Sequence, residues 1–459
     1  MMLLDWRRWD PARVALIGMP FVALVPKYLL ILHTVGAAGT DIFQTGFGFG
    51  GYVRELFTDG SFRSCATAPF VRCDVDLCVY ATRMPLLPML YAGLGKLVGT
   101  KSAAVAMAKC TLTAVLVAVF LRSLTRDARL SFRTVALAYA LYFGPQVLKH
   151  GASLEYEEGL LVDLEICLAI AVVYLLKPSL IDNRSKRVAM ALAAVLLAIA
   201  LYFIKTTAGL TLVVVLALVL CDRQLTWRSK AIALVCVVAP FGAWVGHNFG
   251  TSGELHLSSS WNGENLYRGS SPEGLALYPQ VLLDRLFDST HATLADGRVV
   301  VLHDLKHQRC FANEWAWNRY YSGLARSWWQ EHPGDALRFV GRKLWVSLLE
   351  VRHTPYRETA EGPPTPYPRL VALAMIVWMA FARVVFLALL LCIVRGLWGG
   401  NQRQSLWTLA FVGAGWAPYA VVFAYQRHVV PLLVMAGFVL LAAYLLPRTT
   451  LLSPRDSQA

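Results

Sequence analysis

The chain has 459 residues, 57% apolar and 16% charged, with 43 Lys and Arg against 29 Asp and Glu. A mean hydropathy of +0.51 excludes a soluble globular enzyme, and the length accommodates many bilayer-spanning helices of about 20 apolar residues each. A formal charge of +14 would suggest nucleic acid in a soluble protein. In a membrane protein it reads instead as Lys and Arg retained in cytoplasmic loops.

The first apolar stretch, Val14 to His33, follows Arg7, Arg8 and Arg13 and has no small-residue cleavage site, so it reads as a retained signal-anchor helix. The hydropathy pattern predicts spans at residues 14–34, 102–121, 133–149, 158–176, 188–204, 207–221, 230–248, 370–394, 405–425 and 428–446. With the N-terminus inside, the connections RSLTRDARLSFR, KPSLIDNRSKR, CDRQLTWRSK and VRGLWGGNQRQ and the tail PRTTLLSPRDSQA fall inside, and each carries Arg or Lys. Two shorter segments do not fit as spans. Residues 85–99 are short and hold two prolines and Lys96, and residues 336–351 carry Arg338, Arg342 and Lys343 at helical spacing. Both read as interfacial helices.

The predicted fold is therefore an all-α polytopic membrane protein with about ten transmembrane helices (nine to thirteen), N-in and C-in, and two extracytoplasmic loop regions. It divides into an N-terminal transmembrane module at 1–248 with a first external loop at 36–101, an external region at 249–369, and a C-terminal module at 370–459. Cys110, Cys167, Cys221, Cys236 and Cys392 lie in or beside apolar stretches, where packing is their ordinary role. Cys65, Cys73, Cys78 and Cys310 lie in the external loops, where disulfides can form, with the pairing left open.

Three groups of residues could carry chemistry. Asp41 follows the first span, where a carboxylate at the interface can take a proton from an incoming hydroxyl. Its plainer role is a loop cap. The segment HGASLEYEEG places His150, Glu155, Glu157 and Glu158 between two spans. These acids could bind an acceptor, a sugar hydroxyl or a divalent cation, or could simply favour the start of the next helix. Arg83, Lys149, His150, Lys205, Arg427 and His428 are all predicted near the external face, where phosphate binding and headgroup snorkelling are the competing roles. Asp163, Glu165 and Arg383 fall within spans, where ionisable groups face a cavity or a partner. No phosphate-binding loop, HExxH, GxSxG or zinc-spaced cysteine pair occurs.

Taken in order, these features resemble the GT-C superfamily of membrane glycosyltransferases, which includes the protein O-mannosyltransferases and the lipid A aminoarabinose transferases. The strings that carry the resemblance are Asp41 in the first loop, RMPLLPMLYAGLGKLVG, GENLYRGSSPEG, SWWQEHPGDALRFVGRKLW and YQRHVVPLL. One departure is that Asp41 stands alone, with Tyr52 the nearest tyrosine after it. The resemblance implies an enzyme of a bacterial inner membrane, its site facing the periplasm. It implies transfer of a sugar from a polyprenyl-phosphate donor to a lipid, glycan or protein acceptor, without a certain cofactor. Asp41 would be the base, Glu157 or Glu158 the second acid, and Lys205, Arg427 and His428 phosphate ligands. Trp261, Tyr267, Trp315 and Trp317 could stack on sugar faces, although packing is the commoner role of such aromatics. Two other classes compete. A polysaccharide polymerase or ligase also combines many spans with a large external loop. A transporter or flippase would show repeat symmetry and midplane charges.

Overall fold

The computed structural model describes residues 10–35, 40–44, 49–65, 78–126, 130–177, 180, 183–278, 291–293, 299–301, 311–349, 368–422 and 426–446. In chain order the helices are α1 (Pro11–Val22), α2 (Leu24–Val35), α3 (Phe49–Thr58), α4 (Leu86–Val98), α5 (Ser102–Arg126), α6 (Phe132–Tyr142), α7 (Pro145–Ala152), α8 (Glu158–Leu176) and α9 (Arg184–Ile204). They continue with α10 (Gly209–Leu220), α11 (Trp227–Ser252), α12 (Asn262–Arg268), α13 (Pro272–Leu277), α14 (Glu314–Glu331), α15 (Pro333–Leu349), α16 (Pro368–Trp398), α17 (Gln402–Val421) and α18 (Gln426–Leu440). One antiparallel pair, β1 (His291–Thr293) with β2 (Val299–Val301), lies between α13 and α14.

Among the described residues, seven helical stretches are long and apolar enough to cross a membrane: Pro11–Val35, Ser102–Thr125, Glu158–Leu176, Arg184–Ile204, Trp227–Ser252, Arg369–Trp398 and Arg427–Leu445. The chain is an integral membrane protein. The remaining predicted spans also fall on helices, but each departs from a plain crossing. Residues 133–149 are broken between α6 and α7, because Pro145 disfavours helical geometry at Gly144 (φ −56°, ψ 139°). A β-carbon on Gly144 would also lie 2.0 Å from the Trp378 indole. Residues 207–221 hold the end of a 3-10 turn (Thr206–Ala208) and the 12-residue α10, and 405–425 falls on α17, whose first turn is QRQS. The predicted interfacial segments at 85–99 and 336–351 are helical as α4 and α15.

The centre of the bundle is α8. It is apolar all round and buried along almost its whole length, and it packs against α18, α9, α5 and α7. The helices above the bundle have their own core of Tyr278, Trp317, Tyr321, Trp328, Ala336 and Phe339. Trp317 belongs to that core, whereas Trp315, also buried, packs into the main bundle core and stacks on His256.

Among the described residues most charges inside the apolar bundle are partnered; the exception is Glu165 on α8, whose buried Oε2 has no hydrogen-bond partner. Lys27 lies 3.6 Å from Asp163, and both are 2% exposed. The Tyr142 hydroxyl donates to Asp163 at 2.7 Å and accepts from Lys27 at 3.2 Å. Arg187 clamps Asp222 at 2.7 Å at the end of the bundle away from Glu158. Arg383 donates to the carbonyls of Leu348 (3.0 Å), Ser347 (3.2 Å) and Met379 (3.3 Å). It thereby caps the C-terminal turn of α15 and satisfies carbonyls that have no partner within the helix. Lys343 does the same for α17, donating to Val421 and Gly269 at 2.6 Å each and to Val422 at 3.2 Å. Gly269 allows this joint: a β-carbon there would lie 1.2 Å from the Val422 carbonyl oxygen.

Removing one member of the Lys27–Asp163 pair strands a charge in a low-dielectric interior, at a cost of about 3–5 kcal/mol. Asp163→Asn should therefore lower the unfolding midpoint in detergent substantially. The double substitution Lys27→Met with Asp163→Leu should recover most of the loss.

Candidate active site

A cavity of about 460 Å³ opens where α8, α9 and α18 meet the helices above the bundle. Five chain segments and Phe49 line it. The turn before α8 supplies Glu155, Tyr156, Glu157 and Glu158, and the break between α9 and α10 supplies Lys205, Thr206 and Thr207. The 82–84 segment adds Thr82, Arg83 and Met84, and the α17–α18 junction adds Tyr419, Val422, Arg427 and His428. Trp261, Asn262, Asn265 and Arg268 close it from α12 and the residue before it.

Local sequence explains how these side chains reach the cavity. The turn into α8 is tight because Gly159 has no side chain; a β-carbon there would lie 2.0 Å from the His150 carbonyl oxygen. That turn sets Glu158 in the first turn of α8, where the helix dipole favours an acid. Lys205 ends α9 in an extended conformation (φ −148°, ψ 118°), at the helix end where a cation is favoured.

Lys205 Nζ lies 2.7 Å from Glu158 Oε1 and 3.2 Å from Glu157 Oε2. Burial alone would lower the Lys205 pKa, but Glu158, Tyr419 and Glu157 hold it above the usual lysine range. Glu158 Oε1 is also 3.3 Å from His428 Nε2 and 3.9 Å from Arg427 Nε. Arg83 reaches Glu157 at 3.9 Å, and its guanidinium lies 4.1 Å from the Trp261 ring centroid and 4.9 Å from that of Phe49. A less charged wall stands opposite. The Asn262 side-chain oxygen accepts from Thr206 at 3.0 Å and Ser259 at 3.1 Å, and Thr207 donates to the Tyr419 hydroxyl at 3.1 Å.

The Arg83 segment is held in place from behind. The Glu314 carboxylate accepts from the backbone N–H of Tyr80 (2.9 Å) and Ala81 (3.1 Å) and from the Ser260 hydroxyl (2.8 Å). Burial pushes the Glu314 pKa up, against those three donors. The Tyr52 hydroxyl accepts from the Thr82 N–H at 3.0 Å and bonds its hydroxyl at 2.8 Å. A disulfide between Cys65 and Cys78, with backbone pairing of Ser64 to Val79, closes the loop leading into this segment. Cys73 and Cys310 lie outside the described residues.

Of the residues singled out in the sequence, Arg83, Glu155, Glu157, Glu158, Lys205, Arg427 and His428 line this one cavity. His150 is buried behind it, its ring edge-on to Tyr156 at 5.4 Å. Lys149, on α7, is half-buried and not among the lining residues. Asp41 is the departure. Residues 40–42 pair by backbone with residues 100–102, and the Asp41 carboxylate accepts from Thr100 at 2.9 Å and lies 3.6 Å from Lys101. Its side chain is 41% exposed and lies outside the cavity lining. It serves the start of α5.

Sequence reasoning missed Glu314, Tyr52, Thr206, Thr207, Asn262 and Tyr419. Asn262 immediately precedes the GENLYRGSSPEG string, whereas Tyr419 sits in an apolar run that gives no signal. Among the described residues, no group of three or more His, Cys, Asp or Glu side chains is placed to hold a metal ion.

Fold and site together define a multi-helix membrane protein with a charged cavity at one end of its bundle. Crystal structures of ArnT from Cupriavidus metallidurans are similar to it: the apo state at 17% identity over 93% of this chain, and the form bound to undecaprenyl phosphate at 16% over 92%. Each match covers 76% of ArnT at a TM-score of 0.36, a distant likeness. No family model and no curated protein matches the chain.

Glu314→Ala leaves the buried Ala81 N–H and the half-buried Tyr80 N–H without an acceptor, at about 1–3 kcal/mol for the buried one. Faster amide exchange at residues 80–83, with the α8 amides unchanged, is the expected result.

Proposed function

We propose that the protein is a glycosyltransferase that moves a sugar from a polyprenyl-phosphate donor to a hydroxyl or amine acceptor at the extracytoplasmic face of a bacterial inner membrane. The observation that carries this reading is the cavity lining. Fixed cations at Arg83, Lys205 and Arg427 stand beside carboxylates and apolar groups (Phe49, Met84, Ile204, Leu266, Pro418) at the ends of apolar helices. Such a lining suits a ligand with an anionic head and a greasy tail. Its Trp and Asn wall suits a sugar, which presents both an apolar face and hydroxyls.

In the transfer, the acceptor oxygen or nitrogen attacks the anomeric carbon, whose bond to the phosphate oxygen breaks. The acceptor's proton passes to a carboxylate, and the electron pair leaves with the polyprenyl phosphate. Arg83, Lys205 and Arg427 stabilise that departing charge, which fixed cations in a low-dielectric site do well.

The base is assigned to Glu155. Glu158 is surrounded by Lys205, Arg427 and His428, and Glu157 by Lys205 and Arg83. Both carboxylates are thus already engaged by fixed cations. Glu155 lines the same cavity, is exposed, and among the described residues has no cation against it. Asp41, the base suggested by the resemblance, lies outside the lining. An external cavity is supported by the Cys65–Cys78 disulfide in the loop that leads to Arg83, since disulfides persist in oxidising compartments.

Two experiments test this reading. With a labelled polyprenyl-phosphate sugar in membranes, Glu155→Gln should lower turnover about 100-fold or more, and Asp41→Asn should stay near wild type. The reverse pattern would return the base to Asp41, and no transfer by the wild-type protein would remove the reaction itself. For orientation, a membrane-impermeant thiol reagent applied to intact spheroplasts should label Glu155→Cys and leave Cys221 unlabelled. Cys221 is exposed at the far end of α10 from the cavity. Labelling of Cys221 alone would invert the topology.

A further inference from the structure

Lys205 stands where a metal ion would be expected if a divalent cation organised this cavity. Its ammonium is within 2.7 Å of Glu158 Oε1 and 3.2 Å of Glu157 Oε2, so a single point is shared by two carboxylates from adjacent residues. His428 Nε2 is 3.3 Å from the same Glu158 oxygen. Two carboxylates converging on one point are what a Mg²⁺-like ion takes from protein, with water or ligand phosphate completing its shell; among the described residues no third His, Cys, Asp or Glu joins them there. That point is filled by an amine fixed to the end of α9.

An ammonium has three donors, and two of these face Glu158 and Glu157. Tyr419 lies to one side, its ring centroid 6.0 Å from Nζ. The third donor is available to a ligand in the cavity, which Lys205 itself lines.

We propose that Lys205 is a built-in replacement for a divalent cation. It neutralises the Glu157–Glu158 pair and presents its remaining donor to an anionic oxygen of the ligand, and the cavity takes up no metal while Lys205 is in place. The ligand half of this inference rests on the glycosyltransferase reading above; the metal half does not. It follows that removing the amine converts the cavity into a metal site, because a carboxylate pair without its countercharge attracts the next available cation. Carboxylate oxygens bind such ions at about 2.0–2.2 Å, so Glu157 and Glu158 need to close in only slightly around the vacated point.

The test is isothermal titration of the full-length protein in detergent with Mn²⁺, the metal alone. Wild type should give no saturable binding. Lys205→Ala should bind about one equivalent, and adding Glu157→Gln to that variant should abolish it. Saturable Mn²⁺ binding by the wild type that disappears in Glu157→Gln would overturn the proposal, as would a folded Lys205→Ala protein that binds none. If Lys205→Ala does not fold, the wild-type and Glu157→Gln titrations still decide the first point, and Lys205→Gln, which keeps the side-chain bulk, replaces it for the second.

Transfer assays separate the two readings. Wild-type activity that is unchanged after chelation supports the proposal, and activity that chelation abolishes and Mn²⁺ restores sinks it. Absence of transfer under all conditions would sink the glycosyltransferase reading and leave the titrations as they stand.

Discussion

The ion pair between Lys205 and the Glu157–Glu158 carboxylates is the contact on which the cavity depends. It joins the start of α8 to the end of α9, and through His428 and Arg427 it reaches the start of α18. Each group would be costly to leave unpaired at the edge of an apolar bundle. Gathered together they neutralise one another, and three chain segments far apart in sequence are fixed at one place. The pairing is consistent with the helix dipoles: the acid sits at a helix N-terminus and the Lys at a C-terminus.

The same physics recurs away from the cavity with different partners. Lys343 and Arg383 are buried cations that meet backbone carbonyls at helix ends rather than carboxylates. These two contacts dock the helices above the bundle onto α16 and α17, and so bring α12 over the cavity. The approach requires a glycine at position 269, where the backbones of α12 and α17 nearly touch. Glu314 does the complementary work with an acid, gathering N–H and O–H donors from segments on both sides of the Arg83 wall.

The acids of the α7–α8 turn divide their work by environment. Glu158 is buried and held by cations, Glu157 is shared between Lys205 and Arg83, and Glu155 is exposed to the cavity. Their side-chain chemistry is identical, so position alone separates the carboxylates engaged by cations from the one that faces the cavity with no cation against it among the described residues. The turn is anchored from beneath by bundle residues. Lys109 donates to the Ser153 carbonyl at 2.5 Å, Tyr91 to that of Leu154 at 3.1 Å, and Cys110 to that of Gly151 at 3.2 Å.

The sequence alone determined the membrane character of the chain, the placement of most of its apolar helices, and most of the charged members of the cavity. Apolar runs and the isolated charges between them are local properties, readable because a bilayer tolerates charge only at defined depths. Arg83, Glu155, Lys205 and Arg427 stood out for that reason. Only the tertiary structure decided which of these charges meet. It set Asp41 against Lys101, where backbone pairing of residues 40–42 with 100–102 takes it out of the cavity lining. It broke the span at 133–149 into α6 and α7 and brought Glu314 and Tyr419 to the site from segments with no distinguishing pattern. Pairing between residues more than 200 positions apart depends on how helices pack, and packing is not encoded in any single stretch of the chain.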